Sequence, residues 1–492
     1  MELVLNPNDI ADYERFLAIK RLPKWSIRGC VAWFPDEYAD AIGVAVPKAK
    51  KQTYRPSPFL FDYQRDISRM AINKRKMAVF LECGLGKTAV LLEFARHAAK
   101  SSGKPVLITS PLMVIPQTIA EATKFYGGAY PIHQVRAADL GEWMVSGSGV
   151  GITNYEAIRD ELEQGNLGGL VLDESSMLKS HYGKWGTKLI ELGKGLDWKL
   201  CLTGTPAPND RIEYANHAVF LDAFPTVNSF LARFFINRGE TQERWVLKPH
   251  ALETFYRELS HWAIFVSNPG VYGWKDNAAT IPPIHVHIHD VQMTAGQAAA
   301  VIRETGQLIP TAGGIVDRMR LGQIAKGNLR GEAIDTEKPA FIRDLVNGFG
   351  GESTIIWCVY NAEQDAMAAT FPDAASISGD TPEDERVKLI DEFKSGRRKV
   401  LISKPKILGF GLNLQVATRM VFSGLQDSYE SYYQAVKRAN RVGSTRPLNV
   451  HIPITEIERS MVETVIRKAA MVESDTREQE RIFKTYGATK WN

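Results

Sequence analysis

Short apolar runs separated by amphipathic stretches dominate residues 59–224. "MAVFLE" (77–82), "PVLITS" (105–110), "VGIT" (150–153), "GLVLDE" (169–174) and "KLCLTG" (199–204) do not alternate polar with apolar. Continuous runs of this kind suit strands buried on both faces. "TAVLLEFARHAAK" and "IAEATKF" between them read as helices. Strands alternating with helices predict a parallel α/β sheet. A second such series spans about 335–455, with "STIIWC" (353–358), "KVLIS" (399–403), "RMVFS" (419–423) and "LNVHIP" (448–453) as strands. The expected fold is α/β: two parallel-sheet lobes in tandem, residues 56–224 and 335–455.

The remaining segments break this rhythm. Residues 1–55 form a separable accessory region in which "WSIRGCVAWF" predicts one short strand. It ends in the basic, proline-punctuated run "PKAKKQTYRPSP", which reads as a linker. Residues 225–334 are expected to be a helical insertion and bridging segment, with "VNSFLARFFINRG" and "HALETFYRELSHWAIFV" helical. Within it, "IPPIHVHIHDVQMT" alternates strictly, placing Ile284, Val286 and Ile288 on one face and His285, His287 and His289 on the other. Three histidines on one face suit a metal, but an edge strand with a polar face is the reading adopted. A charged helical tail closes the chain at 456–492.

Composition narrows the class without choosing a function. The 492 residues are 44% hydrophobic and 24% charged, ordinary for a globular protein of several domains. Sixty Lys and Arg against 56 Asp and Glu permit a nucleic-acid partner without requiring one. Cys30, Cys83, Cys201 and Cys358 form no C-x-x-C pair, which argues against a thiolate zinc site and fits a reducing compartment. "MELVLNPNDIADYERF" lacks the apolar core of a signal peptide, and no run is long enough to span a membrane. A cytoplasmic protein is expected, neither secreted nor in the membrane.

Chemistry enters at "LECGLGKT" (81–88), between an apolar strand and a helix. Backbone N–H groups from Gly84 through Leu85 and Gly86 to Lys87 form a phosphate cradle in that context, backed by the helix N-terminus. Lys87 suits the β and γ phosphates, and the Thr88 hydroxyl suits a magnesium ion. "LVLDESS" ends a second apolar strand in Asp173 and Glu174, a pair suited to holding the metal and to activating water. Thr203 and Thr205 in "CLTGTPAPN" follow a third strand, where hydroxyls can sense the nucleotide. Gln434, Arg438 and Arg441 in "SYYQAVKRANRVG" fall at i, i+4 and i+7, one face if helical, and arginines so placed suit a γ-phosphate.

These strings, with "GFGLNLQVA" and with Tyr63-Gln64 in "FDYQRDISRMAI", resemble in order and spacing the motifs of superfamily-two helicases, more narrowly their Swi/Snf-like branch. The resemblance covers roughly residues 59–460 and implies two RecA-like lobes, ATP and Mg²⁺ as cofactors, and ATP hydrolysis. It places Tyr63, Gln64 and Gly411 with the nucleotide, Gln64 on the adenine, and makes Arg438 and Arg441 arginine fingers. It implies contacts to a nucleic-acid backbone from Ser110-Pro111, Asn154-Tyr155, Ser378-Gly379, Lys404 and Asn413. Such contacts position without reading sequence.

Two departures stand out. The D-E-x-H box of the wider superfamily reads Asp173-Glu174-Ser175-Ser176 here, leaving the coupling role of the histidine position unfilled. Lys437 and Ser444 replace an acid and a glutamine around the arginines. The expected function is an ATP-driven motor moving along double-stranded DNA, in a compact prokaryotic or bacteriophage setting. A strand-separating helicase of the same superfamily acting on DNA forks or RNA, with single-stranded DNA or RNA as partner, and a nucleic-acid-binding ATP switch or scaffold with little turnover are the alternatives.

Overall fold

The computed structural model describes residues 1–45, 54–180, 183–239, 244–275, 281–307, 315–408, 413–425, 428–441 and 444–486. The chain divides into two units, Met1–Ala278 with Val472–Asn492, and Ala279–Met471. Gly411 lies outside the described residues.

The first unit is built on seven strands: β1 (Lys76–Leu81), β2 (Val106–Ser110), β3 (Ile132–Gln134), β4 (Val150–Asn154), β5 (Gly169–Asp173), β6 (Trp198–Thr203) and β7 (Ala263–Val266). Their spatial order is β7-β1-β6-β5-β2-β4-β3, and every neighbouring pair is parallel. Helices α1 (Asp62–Lys74) and α2 (Lys87–Ser102) flank β1 in sequence. Parallel pairs need crossover helices, which cover the sheet faces and explain the unbroken apolar runs. β2, β5 and β6 are buried at every position.

The expected helical insertion is only partly helical. Helix α3 (Leu252–Trp262) stops at Ala263, and Ala263–Val266 become β7, paired with β1. "AIFV" is a short, fully buried run, which periodicity alone cannot assign to strand or helix. "VNSFLARFF" likewise turns from helix Val227–Phe234 into a strand, Phe235–Asn237, paired antiparallel with Trp245–Leu247. Residues 225–334 therefore supply strands to both large sheets.

The N-terminal region also differs from its single expected strand. "WSIRGCVAWF" makes two antiparallel strands, Ser26–Arg28 and Val31–Trp33, turning where Gly29 takes φ +58°. Glu2–Val4 adds a third, over a core of Leu5, Ile19, Ala32, Phe34 and Tyr38. This layer docks on α3 through Lys24 Nζ, 2.9 Å from Glu258 Oε1, and the Tyr38 hydroxyl, 3.1 Å from His261 Nδ1. The end of the expected linker is packed too. Tyr54 and Ser57 hydroxyls each donate to the buried Glu93 carboxylate at 2.5 Å.

The second unit carries six parallel strands: β8 (Ile284–Asp290), β9 (Thr354–Trp357), β10 (Ala375–Ile377), β11 (Val400–Ser403), β12 (Arg419–Phe422) and β13 (Leu448–Ile454). Their order is β8-β13-β12-β9-β11-β10. The histidine strand is the edge strand β8, in register with β13 so that His287 faces His451. His289 Nε2 lies 3.0 Å from His451 Nδ1, and the His287 ring stacks on His451 with centroids 4.7 Å apart. Among the described residues no group of three or more His, Cys, Asp or Glu is placed to hold a metal.

Helix α4 (Tyr429–Val436) precedes β13, and α5 (Arg459–Tyr486) follows it. Just before α5, Glu458 is buried between two ammonium groups, Lys326 Nζ at 3.0 Å and Lys338 Nζ at 2.6 Å. Thr455 N–H and hydroxyl complete its shell at 3.0 and 3.1 Å. Burial opposes the charge, but Lys338 and Lys326 outweigh it and hold the Glu458 carboxyl down at about 2. The end of α5 belongs to the first unit. There Asp475 accepts from Arg211 at 2.5 and 2.9 Å, Gln479 donates to Tyr214 Oη at 2.8 Å, and Glu480 accepts from Ser267 N–H at 2.6 Å. No helix among the described residues is long and apolar enough to cross a membrane.

Two outcomes are expected. Glu458→Gln leaves Lys326 and Lys338 facing each other without an anion and lowers unfolding free energy by about 3–5 kcal/mol in urea titrations. Burial, with His287, His289 and Arg419 nearby, lowers His451 from 6.5 to about 4. The unfolded chain therefore takes up that proton first, and stability falls as pH drops from 6.5 towards 4. His451→Asn should flatten this slope in melting temperature against pH, leaving a remainder from His217, also held at about 4.

Candidate nucleotide-hydrolysis site

Parallel strands share a carboxyl edge, so residues far apart in sequence meet there. β6 lies between β1 and β5 in the first unit. The phosphate loop leaving β1, Thr203 ending β6 and Asp173 ending β5 are thus neighbours on one edge. Ser110 and Asn154 end β2 and β4 on the same edge.

The loop is built for an anion. Gly84 and Gly86 take φ +91° and +72°, turning backbone N–H groups inward as α2 begins at Lys87. No side chain caps that helix N-terminus. Lys87 Nζ is 3.3 Å from the Leu81 carbonyl, inside the loop. Burial works against its charge, yet Cys83, Glu174, Asp173 and Glu82 outweigh that and hold the ammonium above its usual range. The Tyr63 hydroxyl and Gln64 Nε2 both donate to the Leu85 carbonyl, at 2.8 and 3.2 Å. Gln64 Oε1 accepts from Phe61 N–H at 3.0 Å, so both ends of the Gln64 amide are bonded to protein groups and brace the loop.

The carboxylates crowd the far side. Asp173 is 8% exposed and accepts from the Ser110 hydroxyl at 2.9 Å. Burial and the adjacent Glu174 push its carboxyl up to about 7, against the pull of Ser110 and Lys87. Glu174 sits at φ +51°, and its Oε2 accepts from Thr203 Oγ1 at 3.3 Å. Thr203 Oγ1 in turn accepts from Thr205 N–H at 3.1 Å. Two crowded carboxylates, one ammonium and the Thr88 hydroxyl at the start of α2 are a donor set that fits a divalent cation carrying phosphate oxygens.

Other expected residues land differently. Ser110 and Tyr155 are fully buried, with hydroxyls on Asp173 itself, Ser110 on the carboxylate and Tyr155 on the backbone carbonyl at 2.6 Å. Pro111 and Asn154 beside them are partly exposed. Gln434 lies on α4, but that helix ends at Val436, so Arg438 and Arg441 stand on turns and share no helix face with it. The Asn440 side chain bonded to the Pro282 carbonyl at 2.7 Å, and Ser444 Oγ on the Ala439 carbonyl at 2.8 Å, hold the chain in those turns. Ser378-Gly379 follow β10 and Lys404 follows β11, on the carboxyl edge of the second sheet. Asn413 is exposed, with Nδ2 donating to Gln415 Oε1 at 2.8 Å.

His217 carries no sequence motif, yet it lies against the residue that follows the carboxylate pair. Its Nε2 lies 3.1 Å from Ser175 Oγ and its Nδ1 3.4 Å from the Glu213 carbonyl. Glu213 accepts from Asn209 N–H and Nδ2 at 3.0 and 2.9 Å. Glu213 thus meets His217 through its main-chain carbonyl and the "TGTPAPN" loop through its carboxylate. Nothing local marks His217, because its partner is 42 residues away.

Fold and site together define a P-loop nucleoside triphosphatase. The SNF2-related domain matches residues 30–302 and the helicase conserved C-terminal domain residues 337–443. The chain belongs to the SNF2-related family, the Swi/Snf-like branch of helicase superfamily two. It is 24% identical over 400 residues to the SWI/SNF-related matrix-associated actin-dependent regulator of chromatin subfamily A-like protein 1 of Drosophila melanogaster, covering 79% of this chain and 52% of that one. It is 22% identical over 423 residues to mouse DNA annealing helicase and endonuclease ZRANB3, covering 80% and 38%. A 111-residue stretch is 34% identical to ATP-dependent helicase fft1 of Schizosaccharomyces pombe, covering 22% and 12%. The chain thus spans about half the length, or less, of these curated relatives. The Sulfolobus solfataricus SWI2/SNF2 ATPase core in complex with dsDNA aligns at TM-score 0.41 and 18% identity over 87% of this chain and 98% of that one.

A Cβ on Gly86 would overlap Gln64 Nε2, besides straining φ, whereas Gly103 at the end of α2 has positive φ and open space. Each Gly→Ala change should cost about 1–3 kcal/mol of stability. Only Gly86→Ala is expected also to weaken nucleotide binding, by about tenfold or more in a fluorescent-nucleotide titration.

Proposed function

We propose that this chain is an ATP-driven motor that moves along double-stranded DNA. The observation that carries the reading is the gathering of Lys87, Asp173, Glu174 and Thr203 on one sheet edge, flanked by the loops that leave β2 and β4. Lys87 and the N–H groups of residues 84–87 hold the β and γ phosphates of ATP. Thr88 and Asp173 hold Mg²⁺, which when bound supplies electrophilic stabilisation of the transferred phosphoryl group. Glu174 orients water and takes its proton, and Thr203, bonded to that carboxylate, keeps it aimed. Tyr63 and Gln64 fix the loop from behind and set the adenine side. Arg438 and Arg441 supply cations to the transferred phosphate, with Gln434 and Gly411 in support.

Duplex DNA is held through its phosphates, by Pro111 and Asn154 in the first unit and by Ser378, Gly379, Lys404 and Asn413 in the second. Backbone contact of this kind gives salt-sensitive affinity with little sequence preference. It also accommodates an overall charge of only +4. The names of the relatives, one a regulator of chromatin and another an annealing helicase, support DNA as the partner.

The test is ATPase activity with duplex DNA, single-stranded DNA and RNA, followed by triplex displacement and fork unwinding. Stimulation by duplex with triplex displacement and no unwinding is expected. Fork unwinding with single-strand stimulation would replace the motor by a strand-separating helicase. Glu174→Gln should retain nucleotide binding within about twofold and lose about a hundredfold or more of turnover. Turnover in the wild type no greater than in Lys87→Ala would leave a switch rather than a motor.

A further inference from the structure

Ser110 and Tyr155 occupy positions from which neither hydroxyl can reach a nucleic-acid backbone. Ser110 is 0% and Tyr155 1% exposed. Each donates to a different part of one residue: Ser110 to the Asp173 carboxylate at 2.9 Å, Tyr155 to the Asp173 main-chain carbonyl at 2.6 Å. β2 pairs directly with β5 and β4 pairs with β2, so both residues arrive at Asp173 along the sheet edge. The chain surfaces at once beyond each. Ser110 is followed by partly exposed Pro111 and by Leu112 and Met113, 57% and 52% exposed. Tyr155 follows partly exposed Asn154 and precedes exposed Glu156.

We propose that Ser110 and Tyr155 are positioning residues of the hydrolysis site, holding Asp173 by its side chain and its backbone so that the loops leaving β2 and β4 transmit nucleic-acid contact to the metal-binding carboxylate. The inference rests on the motor reading above. It divides the work within each pair: Pro111 and Asn154 face solvent, while their neighbours anchor the same loops to Asp173. A loop that moves when DNA binds must carry its anchoring hydroxyl with it, because no other residue separates the two. Closely packed interiors pass such displacements on rather than absorbing them. Coupling of this kind is reciprocal, so DNA should tighten Mg²⁺-nucleotide binding by the same factor as Mg²⁺-nucleotide tightens DNA binding.

The experiment uses the full chain with a fluorescent, slowly hydrolysed ATP analogue, titrated with Mg²⁺ in the absence and presence of saturating duplex DNA. DNA affinity without nucleotide is measured in parallel across a salt series. Wild type, Ser110→Ala, Tyr155→Phe and Ser110→Thr are compared, with thermal melting as a check on folding. In Ser110→Ala the Mg²⁺ midpoint should rise by about tenfold or more, the worth of one buried hydrogen bond to a charged group. Ser110→Thr, which keeps the hydroxyl, should restore it. In both Ser110→Ala and Tyr155→Phe the factor by which DNA shifts the midpoint should fall towards one. Nucleotide-free DNA affinity should stay within about twofold, with an unchanged salt slope.

A direct phosphate contact gives the opposite result: lost DNA affinity and an unmoved Mg²⁺ midpoint. That result, an unchanged DNA-induced shift in both variants, or a wild-type midpoint indifferent to DNA would overturn the inference. A wild type that binds no Mg²⁺-nucleotide would instead sink the hydrolase reading, and the two failures are told apart by the wild-type titration alone.

Discussion

Asp173 is a carboxylate at the end of a strand with no exposed position, and the first unit is arranged around holding that charge. Burial and Glu174 disfavour its ionisation, while Ser110 and Lys87 favour it. Each of these groups comes from a different strand end or from the loop leaving one. The arrangement exists only because the strands are parallel and β6 lies between β1 and β5. An antiparallel sheet of the same residues would scatter them over both edges. The same geometry brings Thr203 to Glu174 and puts Lys87 within electrostatic reach of both carboxylates.

Around this centre the protein uses buried polar contacts where apolar packing would have sufficed for stability alone. Glu93, Glu458 and His217 are each buried with named partners on distant segments. Such groups are costly unless satisfied, so each fixes a single register of the elements it joins. Glu93 ties the segment entering α1 to α2. Glu458 ties the start of α5 to the second unit, and Asp475 and Gln479 tie its end to the segment after the "TGTPAPN" loop. The tail is thus a structural member of both units, not an appendage to one.

His217 shows how a polar contact beside the carboxylate pair is made by a residue distant in sequence. The sequence has serines where the wider superfamily places a histidine, and on sequence alone the contact between the carboxylate turn and the next loop looks vacant. In the fold the imidazole of His217 approaches Ser175 and links on to Asn209 through Glu213.

Local patterns in the chain were enough to determine the phosphate loop, the carboxylate pair, the core strands of both sheets and their α/β class. Each depends on a few consecutive residues: glycines that permit positive φ, or apolar runs that only a buried parallel strand accommodates. What they could not determine has one physical cause, dependence on a partner distant in sequence. "AIFV" became β7 only because β1 offered an open edge, and three-residue β3 and β10 were too short to show a period. The arginines left the α4 face because Pro282 and Ser444 hold the chain in turns. Ser110 and Tyr155 carry motif positions that sequence assigned to nucleic acid, and it took the sheet order to turn their hydroxyls onto Asp173.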